Sequence, residues 1–91
     1  MMFPFPLPAG SSEPIDVGDG LMIVGFERPT AQLVGDVEAT LKLAGWATTS
    51  TGGDHFGGMW IVEASKGNER WTLTAQGVDG MSQLGIARAE D

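Results

Sequence analysis

The sequence predicts a two-layer α+β domain of pattern β-α-β-β-β, with one helix packed on a mainly antiparallel sheet. Three observations carry this reading. Residues 31–44 repeat apolar side chains at spacings of three and four and run into Gly45, a natural helix stop. Gly67-Asn68 marks a two-residue hairpin loop between two segments whose apolar residues alternate in matching phase. A further alternating segment follows the turn at Gly77-Val78-Asp79-Gly80. At 91 residues the chain holds one hydrophobic core.

Residues 1–18 read as an extended, Pro-rich N-terminal arm, and 19–91 as a single α+β domain. In Phe3-Pro4-Phe5-Pro6-Leu7-Pro8 each proline fixes its own φ and pushes its predecessor away from helix. Ala9 to Pro14 then reads as a linker. Such an arm is either a loose terminus or a docked one, in which Phe3, Phe5 and Leu7 lie on their own domain or on a neighbour. Exposed aromatic side chains are costly unless something covers them. Asp16-Val17-Gly18-Asp19-Gly20 lacks the alternating ligands and closing Glu of a calcium loop, and reads as a turn.

Gly20 to Phe26 is the first strand, apolar along nearly its whole length, as expected of a strand covered on both faces. Thr30 is the expected helix cap. In the helix, Val34, Val37, Leu41 and Ala44 form one buried stripe widened by Leu33. Asp36, Glu38 and Lys42 lie on the other side, with Glu38 and Lys42 at i,i+4 spacing. With Gly45 left-handed, Trp46 packs back on Leu41 in a Schellman ending.

Ala47-Thr48-Thr49-Ser50 is polar and β-prone, and the glycine-rich loop from Thr51 to Gly58 follows. The hairpin then sets Ala64 opposite Trp71, Val62 opposite Leu73 and Trp60 opposite Ala75. Each pair is apolar, and the other face pairs Glu63 with Thr72 and Ser65 with Arg70. A slip of one residue would expose both tryptophans. A four-residue loop at 77–80 sets Leu73 opposite Leu84, Trp71 opposite Ile86 and Glu69 opposite Arg88. If the first strand enters parallel to the one after the helix, the crossover is right-handed.

Composition narrows the function. Twelve Asp and Glu face five Lys and Arg, a net charge of −7. That argues against direct nucleic-acid binding, which needs clustered basic side chains, and points to a basic partner or simply to solubility. The chain has no cysteine and one histidine, so it offers neither a thiolate nor a multi-histidine metal site, and it carries no cofactor signature. No stretch is long enough to span a bilayer. The proline-broken, uncharged start is unlike a signal peptide, and a cytoplasmic protein is expected.

Chemistry is sparse. Gly52 and Gly53 would let an anion approach the backbone, but the loop leads into a strand and carries Asp54 where a phosphate loop carries Lys. Asp54 beside His55 is the one opening for acid/base catalysis, and no catalytic residue is assigned otherwise. Trp60 and Trp71 point at the helix and belong to the core. The opposite sheet face, with Met59 and Ile61 among Thr72, Thr74, Glu63 and Gln76, has nothing in the domain to cover it. The acids are spread along the chain, with Asp36, Glu38 and Glu27 able to gather in space.

The expected function is therefore a small acidic, non-enzymatic protein-interaction module: an adaptor, inhibitor or complex subunit. Its partner-binding residues would be Met59, Ile61, Thr72, Thr74, Phe3, Phe5, Asp36 and Glu38. The same open face would serve self-association. The alternative is a small-ligand-binding or sensing domain, with a pocket between helix and sheet near Gly52, Gly53, Asp54 and His55.

Overall fold

Helix α1 (Thr30–Leu43) lies across one face of a six-stranded antiparallel sheet in the computed structural model, which describes residues 3–53 and 56–89. The strands are β1 (Ile15–Asp16), β2 (Leu21–Phe26), β3 (Ala47–Gly52), β4 (Trp60–Lys66), β5 (Glu69–Val78) and β6 (Met81–Arg88). Their order is β1-β2-β6-β5-β4-β3, and every neighbouring pair is antiparallel. The two-layer α+β architecture is the one expected. The first strand enters beside β6, antiparallel to it, so it forms no parallel pair with the strand after the helix.

The β4–β5 hairpin has the expected register, with Ala64 opposite Trp71, Val62 opposite Leu73 and Trp60 opposite Ala75. The next turn is tighter than expected. Val78 pairs with Met81, so only Asp79 and Gly80 form the loop, both with positive φ, as a type I′ hairpin requires. The register moves by two residues, setting Leu73 opposite Ile86, Ala75 opposite Leu84 and Trp71 opposite Arg88. A two-residue shift leaves every side chain on its face. Glu69 and Arg88 are thus diagonal neighbours, and they still meet at 3.8 Å.

Two elements lie outside the expected pattern. Ala47–Gly52 is a full edge strand; its Thr- and Ser-rich sequence has no apolar alternation, and backbone pairing with β4 defines it. Ile15–Asp16 adds a short strand at the opposite edge.

Leu33, Val34, Val37 and Leu41 of α1 are buried against Val62, Leu73, Leu84 and Ile86 of the sheet. The helix ends as expected. Gly45 has φ 91°, its N–H donates to Lys42 O, and Trp46 N–H donates to Leu41 O. The start differs. Pro29 occupies the cap position, so Thr30 is the first helical residue and its hydroxyl lies 3.0 Å from Ser82 Oγ. Ser82, the buried polar residue at the start of β6, donates its own 2.6 Å hydrogen bond to Arg28 O.

The N-terminal arm docks on its own domain. Phe3 and Phe5 are buried, with Leu7 packed beside them. Phe5 stands edge-on to Trp46 and Trp71, at centroid distances of 5.4 and 5.6 Å. The arm is tied along the β2 edge: Ser12 N–H donates to Gly25 O, and Gly25 N–H donates to Ser12 Oγ. Arg28 holds the Ala9 carbonyl.

Candidate interaction surface

With α1 and the arm on one face, strand alternation places Leu21, Ile23, Ile61, Glu63, Thr72, Thr74, Gln83, Gly85 and Ala87 on the other. No described element packs over this second face. Cross-strand pairing sets Ile61 opposite Thr74 and Glu63 opposite Thr72, so the structure brings together three of the expected residues, Ile61, Thr72 and Thr74. Met59 immediately precedes β4 and is half-buried. β2 therefore does not have the two covered faces its sequence suggests: Leu21 and Ile23 are only half-buried, because their side of the sheet is open.

The face carries two small depressions that share Thr72. One, of about 270 Å³, lies between Ala47, Thr49, Glu63, Ser65 and Arg70. The other, of about 240 Å³, is floored by Gly85 and bordered by Leu21, Ile23, Thr74, Gln83 and Ala87. Each is smaller than a usual small-molecule pocket. The chemistry is mixed: threonine hydroxyls and glutamine amides offer hydrogen bonds, and Ile23, Ile61 and Leu21 offer apolar area.

The hairpin alone does not reveal the contributions of β2 and β6, although the sequence carries a signal for them. Gln83, Gly85 and Ala87 alternate with buried Ser82, Leu84 and Ile86, and small residues on the non-core side mark a shallow floor. Gly85 is not there for conformational reasons. A Cβ at Gly85 would touch Leu21 Cδ1 at 3.6 Å and Thr74 O at 3.9 Å, both ordinary contacts.

The remaining expected residues are dispersed. Phe3 and Phe5 are core residues, withdrawn from any partner by their contacts with the tryptophans. Asp36 forms a 2.8 Å ion pair with Arg28, which neutralises much of its field. Glu38 turns the other way and accepts from Thr48 Oγ1 at 3.4 Å and Ser50 Oγ at 3.3 Å, placing its carboxylate beside β3. The two acids therefore flank the helix on different sides rather than forming a patch.

Near the glycine-rich loop, Gly52 is required by close approach, since a Cβ there would lie 2.4 Å from Met59 O. Gly53 N–H donates to Met59 O and continues the β3–β4 ladder. An open cleft lined by Thr30, Ala31, Gly53, Gly57, Gly58, Trp60 and Gly77 lies here, at the start of α1. Asp54 and His55 lie outside the described residues. Among the described residues, no helix is long and apolar enough to cross a membrane. No family model, curated protein or solved structure matches this chain.

Proposed function

We propose that this protein is a non-enzymatic protein-interaction module, an adaptor, inhibitor or complex subunit acting in the cytoplasm. The observation that carries the reading is the uncovered face of the six-stranded sheet, where Leu21, Ile23, Thr72 and Thr74 border depressions smaller than a usual small-molecule pocket and Ile61 stands opposite Thr74. A flat, half-apolar surface rich in hydroxyl and amide groups suits a protein partner. The charge of −7 steers a basic one toward it.

Gly85→Arg tests the proposal, because a long side chain there projects over the face without disturbing the core. Affinity capture from native lysate should recover a partner with the wild-type chain and lose it with the variant, and recovery should weaken as salt is raised. Equal recovery by both chains would exclude this face.

A second reading, small-ligand binding, is supported by the cleft at the start of α1 beside Gly53, Gly57 and Gly58. A thermal-shift screen of anionic metabolites addresses it, and a uniformly flat response would remove it.

A further inference from the structure

The two edges of the sheet are treated differently. At the β1 edge the backbone of β2 is occupied: Ser12 bonds Gly25 in both directions, Ile15 and Asp16 pair with Ile23 and Met22, and Val17 N–H donates to Leu21 O. Pro14 and Asp16 further blunt that edge. β3 at the other edge has none of these devices. Ala47-Thr48-Thr49-Ser50-Thr51-Gly52 contains no charge and no proline, and its register with β4 runs without a bulge. Sheet proteins ordinarily protect such an edge, because its unpaired N–H and C=O groups are a template for another strand.

The orientation of those groups follows from the ladder. Gly53 N–H donates to Met59 O, so in an antiparallel pair Thr49 and Thr51 also bond inward to β4, and Thr48 and Ser50 direct their N–H and C=O outward. The side chains beside them are small, and Ala47, Thr49 and Thr51 are exposed. On the helix side of this edge the Glu38 carboxylate lies against the Thr48 and Ser50 hydroxyls. Glu63 stands opposite Thr49 on the open side.

We infer that the outer edge of β3 is a strand-addition site for an extended segment of a partner protein that carries Lys or Arg on alternate residues. The inference rests on the proposed role as a protein-interaction module. Backbone hydrogen bonds to Thr48 and Ser50 supply the affinity, as in other edge-recognition modes, and Glu38 selects cationic side chains on the helix side. Charge disfavours a second copy of this chain as the occupant. Antiparallel self-pairing that keeps both helices on one side would bring two Glu38 carboxylates to a shared ridge between molecules of charge −7.

The test uses a capped eight-residue peptide of alternating Lys and Thr and the full-length protein. Saturable binding is expected, with new hydrogen-exchange protection at the Thr48 and Ser50 amides. Ser50→Pro removes an outward N–H and should weaken binding about tenfold relative to Ser50→Ala. Glu38→Gln should weaken it about threefold or more. N-methylation of alternate peptide amides should abolish it. Near-UV circular dichroism of the tryptophans verifies that each variant is folded, and the peptide modification needs no variant at all.

Absence of saturable binding at millimolar peptide, or binding indifferent to N-methylation, would overturn the inference. So would concentration-dependent dimerisation that Ser50→Pro abolishes. Gly85→Arg separates the two proposals. If it abolishes peptide binding and Ser50→Pro does not, the open face is the docking site and only the edge inference fails. If capture from lysate is unaffected by either substitution, both surfaces are excluded; if the wild-type chain captures nothing, the interaction role itself fails.

Discussion

The ring of Phe5 stands edge-on between two tryptophans, 5.4 Å from Trp46 and 5.6 Å from Trp71, and is 2% exposed. Of the two readings the sequence allows for the arm, a loose terminus or a docked one, the docked one holds, and the arm is a structural part of the domain. Trp46 comes from the helix exit and Trp71 from β5, so Phe5 joins three distant parts of the chain.

Phe5→Ala should therefore cost about 3–5 kcal/mol, the usual range for deleting a fully buried aromatic ring. Urea unfolding followed by tryptophan fluorescence measures this. Pro4→Ala, on an exposed residue beside it, should change stability by less than about 1 kcal/mol. A Phe5→Ala chain as stable as wild type would mean the arm does not close the core.

Glycines separate into required and replaceable positions. A Cβ at Gly52 would meet Met59 O at 2.4 Å and Trp60 Cα at 2.6 Å, both backbone atoms that yield only if the hairpin shifts. Gly52→Ala should cost about 2–3 kcal/mol, as overpacking does. Gly85→Ala meets only ordinary contacts at a residue without positive φ, and should be neutral or stabilising by a few tenths of a kcal/mol. Thermal melting of the two variants side by side checks the contrast.

Ser82 ties the start of β6 to the start of the helix. Its hydroxyl donates to Arg28 O at 2.6 Å and lies 3.0 Å from Thr30 Oγ1. Ser82→Ala leaves those oxygens without their partner in a buried place, and should cost about 1–3 kcal/mol. Thr30→Val should cost less, because Ser82 keeps its bond to Arg28 O. Double-mutant unfolding experiments measure the coupling; strict additivity would show the two hydroxyls act independently.

The helix exit and the β4–β5 hairpin were legible because local chemistry and burial pattern agree there. Gly45 can take the left-handed conformation, and Gly67-Asn68 sets a register in which Trp60 and Trp71 share one face. The β5–β6 register differs by two residues from the expected one because Gly77 and Gly80 both resemble turn ends, and alternation alone cannot tell registers of equal parity apart. β3 was invisible to hydrophobic pattern, since an edge strand whose outward face is Ala47, Thr49 and Thr51 has no apolar period to read. Of the candidate site, Ile61, Thr72 and Thr74 follow from the hairpin alone. Leu21, Ile23 and Gly85 needed the strand order, which depends on long-range pairing of β2 with β6.

Native-state hydrogen exchange should reproduce the alternation in β3 residue by residue. Thr49 and Thr51 face β4 through their backbone and should exchange slowly, limited by opening of the β3–β4 pair. Thr48 and Ser50 direct their amides away from the sheet and should exchange orders of magnitude faster in the free protein. Their hydroxyls contact Glu38, but a side-chain bond gives the amide proton no acceptor. Amide-resolved NMR at near-neutral pH reads all four positions in one experiment. Protection at Thr48 and Ser50 in the isolated, dilute chain would mean this edge is already paired, and the outward assignment of its backbone would be wrong.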